Sequence, residues 1–500
     1  MLTLPSFILT VAVVTPLLGA LAIGVLSPTG RSARTAGIVV SLVPLAIAVA
    51  CAVALSQSSA AASVGDFHFV DDLPWIPALG ARYALGLDGI GLSMVLLTAV
   101  LTPIVLCYSG VTDYRSDQYS ESTFVALILG VESMSLLVFS ATDLLLFYLA
   151  FEATLIPMFF LIGGFGGRRR LYAALQFLLY SLASGLIMLA AIIGVFVVAG
   201  SFTYADLLAA DIPAETQMWL FTGFMVAFIT KAPMVPLHTW LPEAAANTTP
   251  GGATMMVAVM DKIGTFGMIR FAVLLFPAAA VKAAPVMIGL AVLSVIWGAL
   301  AACAQTNLVK LVAYTSVSHF GFIVMGIFAF TDTTMTSAAL YMVNHGISTA
   351  ALFMVVGYLV RRAGTSDIDA FGGVQQVAPL LAGYLLIAGL SALSLPGLAT
   401  FVSEFGVIVG TWPVNPWAAG ISAIAMVLAA VYIMRMVKTV VSGPATPTTA
   451  ALPELSSAER VIVAPLIVLL IVFGFYPSPI VNLLDDDAVA VVSTVLAGGK

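Results

Sequence analysis

Apolar runs long enough to cross a bilayer recur from one end of this 500-residue chain to the other, with little charge inside them. A helix needs about 20 such residues to span the hydrocarbon core, whereas a membrane barrel would show short alternating strands instead. Charged residues make up 8% of the chain and apolar ones 61%, against roughly 25% charged in a soluble domain. A water-facing globule is excluded, and the expected fold class is an all-α membrane protein.

Gly, Pro and charged residues divide the runs into about fourteen spans. They cover residues 4–26, 36–55, 87–108, 123–139, 143–163, 171–199 and 218–247. The remainder are 254–275, 286–302, 308–330, 335–360, 380–409, 417–440 and 460–476. The first is too long for a signal-peptide core and lacks a charged leader, so a retained span is expected. Basic residues follow the odd-numbered spans: Arg31 and Arg34, Arg115, the cluster Arg168-Arg169-Arg170, Lys310, Arg361 and Arg362, then Arg435, Lys438 and Arg460. The even-numbered connections hold Arg82, Arg270, Lys282 and Lys500 beside acids such as Asp66, Asp71, Asp72, Asp206, Asp211 and Asp332. By the positive-inside rule both termini face outward.

Two spans carry helix breakers at their middles: Lys231-Ala-Pro233-Met-Val-Pro236-Leu-His238 in span seven and Leu395-Pro396-Gly397 in span twelve. Proline removes a backbone donor and clashes with the preceding turn, at about 3 kcal/mol. In lipid the freed backbone groups survive only where protein or a water-filled cavity satisfies them. One broken helix in each half points to an internal repeat with a transport site nearby, although a proline kink can also serve packing alone.

The ionisable residues inside the spans are Glu132, Glu152, Lys231, Asp261, Lys262 and Glu404, with His238, His319 and His345. Each central charge costs at least about 2.5–3.5 kcal/mol on the insertion scale, so such groups face the bundle interior, pair, or line water. A structural ion pair is the plain alternative to a transport role. Should Glu152 and Lys231 approach to about 4 Å at an effective dielectric near 20, their coupling is about 4 kcal/mol. A lysine whose charge depends on whether its acid is near can be loaded and unloaded, as a proton carrier requires. Lys262 and Glu404 offer further stations. Asp261, next to Lys262, projects about 100° away on a helix; it neutralises the lysine or faces another helix. Glu132, in a short span, is assigned to neither role.

A histidine titrates near neutrality and suits a relay. His319 follows Tyr314-Thr-Ser-Val-Ser318, and His345 follows Asn344. Histidines on neighbouring spans also permit a bis-histidine haem, which would want glycine-lined ring space. The three cysteines, Cys51, Cys107 and Cys303, have no metal or cluster spacing. Gly163-Gly-Phe-Gly166-Gly167 has neither the strand nor the GK[ST] of a phosphate loop and reads as a flexible helix exit. No cofactor is expected in this chain, and the absence of a basic arm argues against nucleic acid.

Three segments carry a family resemblance. They are Lys231-Ala-Pro-Met-Val-Pro-Leu-His238-Thr-Trp240-Leu-Pro242-Glu243-Ala, Leu308-Val-Lys310-Leu-Val-Ala-Tyr-Thr-Ser-Val-Ser-His319-Phe-Gly, and Tyr83-Ala-Leu-Gly-Leu-Asp88-Gly89-Ile. They resemble the antiporter-like, proton-translocating membrane subunits of respiratory complex I (NADH-quinone oxidoreductase) and the related Mrp antiporters, over residues 80 to 440. Phe151-Glu152-Ala-Thr-Leu-Ile-Pro157 and Glu404 in Gly397-Leu-Ala-Thr-Phe-Val-Ser-Glu404-Phe are similar to the M-type chain, the counterpart of mitochondrial subunit 4. The D subunit of Mrp cation/proton antiporters shares the glutamate and is the alternative; a structural scaffold is the third. Two departures stand out: Glu243-Ala244-Ala245 replaces a D-A-H pattern, and Thr400 replaces a common Asn.

The resemblance implies fourteen helices with two inverted five-helix repeats, spans four to eight and nine to thirteen. It implies helices 1–3 over 1–110, repeats over 120–275 and 286–440, and a last helix with a tail over 460–500. Glu152 would modulate Lys231, protons would pass through Lys262 with His319 as intermediate, and Glu404 would be the terminal site towards the periplasm. His238, His345, Pro233, Pro396 and Asp261 would support that route. Quinone reduction would supply the energy, with NADH, FMN, iron–sulfur clusters and quinone held by other subunits. The implied partners are L- and N-type antiporter-like chains and small helical chains in the bacterial inner membrane.

Overall fold

The computed structural model describes residues 5–26, 29–57, 63–112, 116 and 119–499. Leu4, Arg115 and Lys500, used above, lie outside them. Helix α1 covers Ile8–Leu26 and α2 Gly30–Ser56. The connection that follows is an antiparallel hairpin, β1 His68–Ile76 and β2 Ala81–Leu87, in which His68 faces Leu87 and Leu73 faces Tyr83. Mixed apolar and charged residues in β1 gave no period to read. Helices α3 (Gly89–Thr112) and α4 (Glu121–Ser140) come next, then α5 (Leu144–Ala153) and α6 (Leu155–Phe165), one span interrupted at Thr154. Asp143 caps α5 by accepting from the Leu145 and Leu146 amides, both at 3.0 Å. It also holds the Arg82 amide of the hairpin at 3.1 Å.

After α7 (Arg170–Ala199) and the short α8 (Tyr204–Ala209), the seventh span breaks as its prolines require. Helix α9 (Ala214–Lys231) ends, residues 232–239 are non-helical, and α10 (Trp240–Ala246) resumes. The exposed backbone is satisfied by protein. Ser294 accepts from the Val235 amide at 2.9 Å and Trp240 donates to the Thr230 carbonyl at 3.0 Å. The next span is wound irregularly: α11 (Pro250–Thr254), a π segment Met255–Met260, α12 (Lys262–Gly267), a second π segment Met268–Ala272, and α13 (Val273–Leu275). Arg270, expected on a connection, lies in that second π segment, buried and bonded to Asp88 at 2.5 Å.

Helices α14 (Pro277–Cys303), α15 (Leu308–Phe328) and α16 (Asp332–Ala363) follow. Beyond the short α17 (Val374–Val377), α18 (Pro379–Ala392) and α19 (Ala399–Thr411) flank the second break. There Thr400 donates to the Ser391 carbonyl at 2.5 Å and Asn344 to the Ala399 carbonyl at 2.8 Å. Helices α20 (Pro416–Val441) and α21 (Ser457–Phe475) precede α22 (Ser478–Gly498). The segment after residue 476, expected to be a tail, is therefore helical; its acids Asp485, Asp486 and Asp487 interrupt any apolar run. Among the described residues eleven spans are long and apolar enough to cross a membrane. The three further spans expected from sequence fall on the two broken helices and the π-wound one.

Helices α15 and α16 and the π-wound span are buried almost throughout, whereas α1, α2, α7, α20 and α21 turn apolar side chains outward. Trp219, Trp297, Trp417 and Val197 are among the exposed residues, as expected on a lipid-facing surface. The ionisable residues of the interior therefore sit at the centre of the protein.

Candidate proton-pathway site

Glu152, next to last in α5, is half-buried and leans on α7 where Gly185 leaves room; a Cβ there would lie 1.7 Å from its Oε1. Lys231, the last residue of α9, is buried, and its Nζ donates to the Thr154 hydroxyl at 3.1 Å from 4.6 Å above the Phe151 ring. Among the described residues no ion pair within 4.0 Å joins Glu152 to Lys231. The two are nonetheless in electrostatic reach of each other. The lysine is thus held by the hydroxyl at the α5–α6 interruption and not by its acid.

Lys262 opens α12 with no exposure, donating to the Val257 carbonyl at 2.7 Å. It also lies 2.6 Å from His345 Nδ1. When the amine is charged, that nitrogen must be the acceptor, so the imidazole is neutral with its proton on Nε2. The ring of His319 stands 5.2 Å from that of His345 and 5.8 Å from that of Tyr341, between centroids. The Tyr341 hydroxyl donates to Glu404 Oε2, and Ser394, within the second break, donates to the same oxygen at 2.6 Å. Asn344 steadies the start of α19 through Ala399 and, at 3.4 Å, Ser403.

The buried groups thereby form a row, Lys262, His345, His319, Tyr341 and Glu404, and Lys231 stands before it at the end of α9, on which the start of α12 packs. His319 was expected as an intermediate beyond Lys262; the imidazole bonded to Lys262 is that of His345, and His319 lies one step on. Tyr341 was missed. Its signal was a four-residue spacing from His345, which stacks both on one helix face. Pro233 and Pro396 sit in the two breaks. His238 lies off the row, accepting at Nε2 from Trp297 at 3.2 Å. Glu132 is fully buried on α4, also off the row, and among the described residues neither of its oxygens is hydrogen-bonded. Glu243, in place of the expected acid pattern, pairs with Lys310 at 2.6 Å and with Arg169 at 4.0 Å. No group of three or more His, Cys, Asp or Glu residues able to hold a metal occurs among the described residues.

A bundle with broken helices around an interior row of ionisable groups defines the transporter-like class of membrane proteins. A family model described as NADH:quinone oxidoreductase/Mrp antiporter, TM, matches residues 141–432, and the chain belongs to that family. It is 43% identical to NADH-quinone oxidoreductase subunit M of Mycobacterium tuberculosis, over 97% of this chain and 94% of that protein. The subunit M of Rickettsia typhi is 36% identical over 84% of this chain and 85% of its own length. A chain of respiratory complex I from Thermus thermophilus with bound NADH matches with a TM-score of 0.87 and 29% identity, covering 97% of this chain and 99% of that one. A chain of the Mrp complex from a Dietzia species has a TM-score of 0.86 at 20% identity, over 99% of this chain and all of its own, a likeness of fold alone.

Proposed function

We propose that this chain is the M-type proton-translocating subunit of the membrane arm of respiratory complex I, and that the buried row is its proton route. The observation that carries the route is the contact series from Lys262 through His345, His319 and Tyr341 to Glu404, each member nearly or wholly excluded from solvent. A lysine that hands its proton to a neutral imidazole, and an acid held by two hydroxyls, can be loaded and unloaded in sequence. Glu152, unpaired with Lys231, acts as the mobile partner that draws or releases the lysine's proton. Moving one charge against 100 mV takes about 2.3 kcal/mol, less than the coupling of about 4 kcal/mol that a closed Glu152–Lys231 pair would give. Making and breaking that pair is therefore sufficient as a gate.

The redox chemistry belongs to other subunits of the complex, and this chain carries no redox centre in our reading. The chain divides into repeats over 120–275 and 286–440; one broken helix in each supports the division. The relatedness to subunit M proteins at 34–43% identity favours complex I over a cation/proton antiporter. The testing experiment is Lys262→Ala in an assembled complex, with NADH-driven quinone reduction and proton uptake followed in membrane vesicles. Loss of both, with NADH:ferricyanide activity retained, is expected. Proton uptake per NADH equal to the parent would overturn the route.

A further inference from the structure

Asp261 is the group between the two lysines that the route above leaves unused. It has no exposure, and neither carboxyl oxygen has a hydrogen-bond partner among the described residues. Its position follows from the backbone. A Cβ on Gly264 would lie 2.6 Å from the Phe228 carbonyl oxygen and 2.7 Å from the Ala232 nitrogen. The start of α12 is thus packed directly on the end of α9. Asp261 precedes Gly264 by three residues, one turn back on the same face, which brings it to the end of α9 where Lys231 stands. The π segment before it closes with the Asp261 amide on the Met256 carbonyl at 2.9 Å.

Both lysines lie within electrostatic reach of the carboxyl group, and each amine is turned to another acceptor: Lys231 to Thr154, Lys262 to Val257 and His345. An acid buried among apolar side chains without a bonded partner is costly as a fixed charge. That cost has a use where the acid alternates between two bases.

We propose that Asp261 is the proton carrier between Lys231 and Lys262. This rests on the route proposed above and supplies its missing step. The Lys231 ammonium gives a proton to the Asp261 carboxylate, leaving a neutral amine and a neutral acid. The acid then gives that proton to the neutral Lys262 amine, restoring the carboxylate and forming the ammonium that faces His345. No net charge is created in the interior at either step.

The test compares Asp261→Asn, Asp261→Leu and Asp261→Glu with Lys231→Ala in assembled complexes in vesicles. Leu removes the unpartnered polar group, so it keeps the test open should the Asn variant assemble poorly. The rate of NADH-driven proton uptake should fall about a hundredfold or more in the Asn and Leu variants, the scale of a lost proton-transfer group, and largely return with Glu. A carboxylic-acid band in the turnover infrared difference spectrum should vanish with Asn. Full pumping in Asn or Leu, or equal loss with Glu, overturns the role of Asp261. So does a difference spectrum without that band, which would leave a fixed counter-charge. The Lys231 variant separates the two readings: if it loses pumping while the Asp261 variants keep it, only this step fails, and if it pumps fully the route itself fails.

Discussion

Tyr341 is the residue on which the two ends of the row depend. Its hydroxyl is bonded to Glu404 while its ring lies against that of His319, so it joins an imidazole to a buried acid. Tyr341→Phe keeps the ring and removes the hydroxyl. The rate of NADH-driven proton uptake should drop by about a hundredfold while assembly and the bond from Ser394 to Glu404 remain, as vesicle assays with an assembly check would register. The charged members of the row were readable in the sequence because an ionisable residue in an apolar run is conspicuous. Tyr341 was not, since an aromatic residue in a buried helix is ordinarily core. Nor could sequence tell which histidine meets Lys262, or that Lys231 leans on Thr154: spacing along a chain gives faces, and distances arise only when helices pack.

At the scale of the helix, Gly264 and Gly267 decide how closely α12 meets α9. Added carbons would meet the Phe228 backbone and ring at 2.6 Å and 2.4 Å. Gly264→Ala should separate the two elements and cost about 1–3 kcal/mol, the range for an overpacked contact. A lower thermal midpoint and reduced pumping together are the expected result, and an unchanged midpoint would mean the contact yields. Both proline breaks were legible, at Pro233 and Pro396, because proline's missing donor leaves few options inside lipid. The hairpin and α22 were not: β1 mixes Asp71, Asp72 and Pro74 among apolar residues, and three consecutive aspartates divide α22. Each owes its order to tertiary partners, as where the Gly89 amide donates to Asp487 at 2.5 Å and the Thr142 amide to Ala84 at 2.9 Å.

Across the whole molecule, several basic residues are laced to acids at one end of the bundle. Arg34 meets Glu121 at 2.8 Å, Lys310 meets Glu243, and Arg362 grips both oxygens of Glu459 at 2.7 Å. The hairpin, the Arg270–Asp88 pair and α22 gather at the other end. Orientation follows if the first end is cytoplasmic. A membrane-impermeant maleimide applied to intact cells should then label Ala214→Cys and spare Ser457→Cys, measured over the parent with its three native cysteines; the reverse pattern would invert the chain.

Backbone-to-backbone packing of this kind recurs beside the row. A Cβ on Gly298 would stand 2.5 Å from the Ser318 nitrogen, and one on Gly321 would stand 2.6 Å from the Ala291 oxygen. Helices seated so tightly have little room to slide, which leaves side-chain rotation as the moving part. Proton hand-over along the row would then need no rearrangement of the helices themselves.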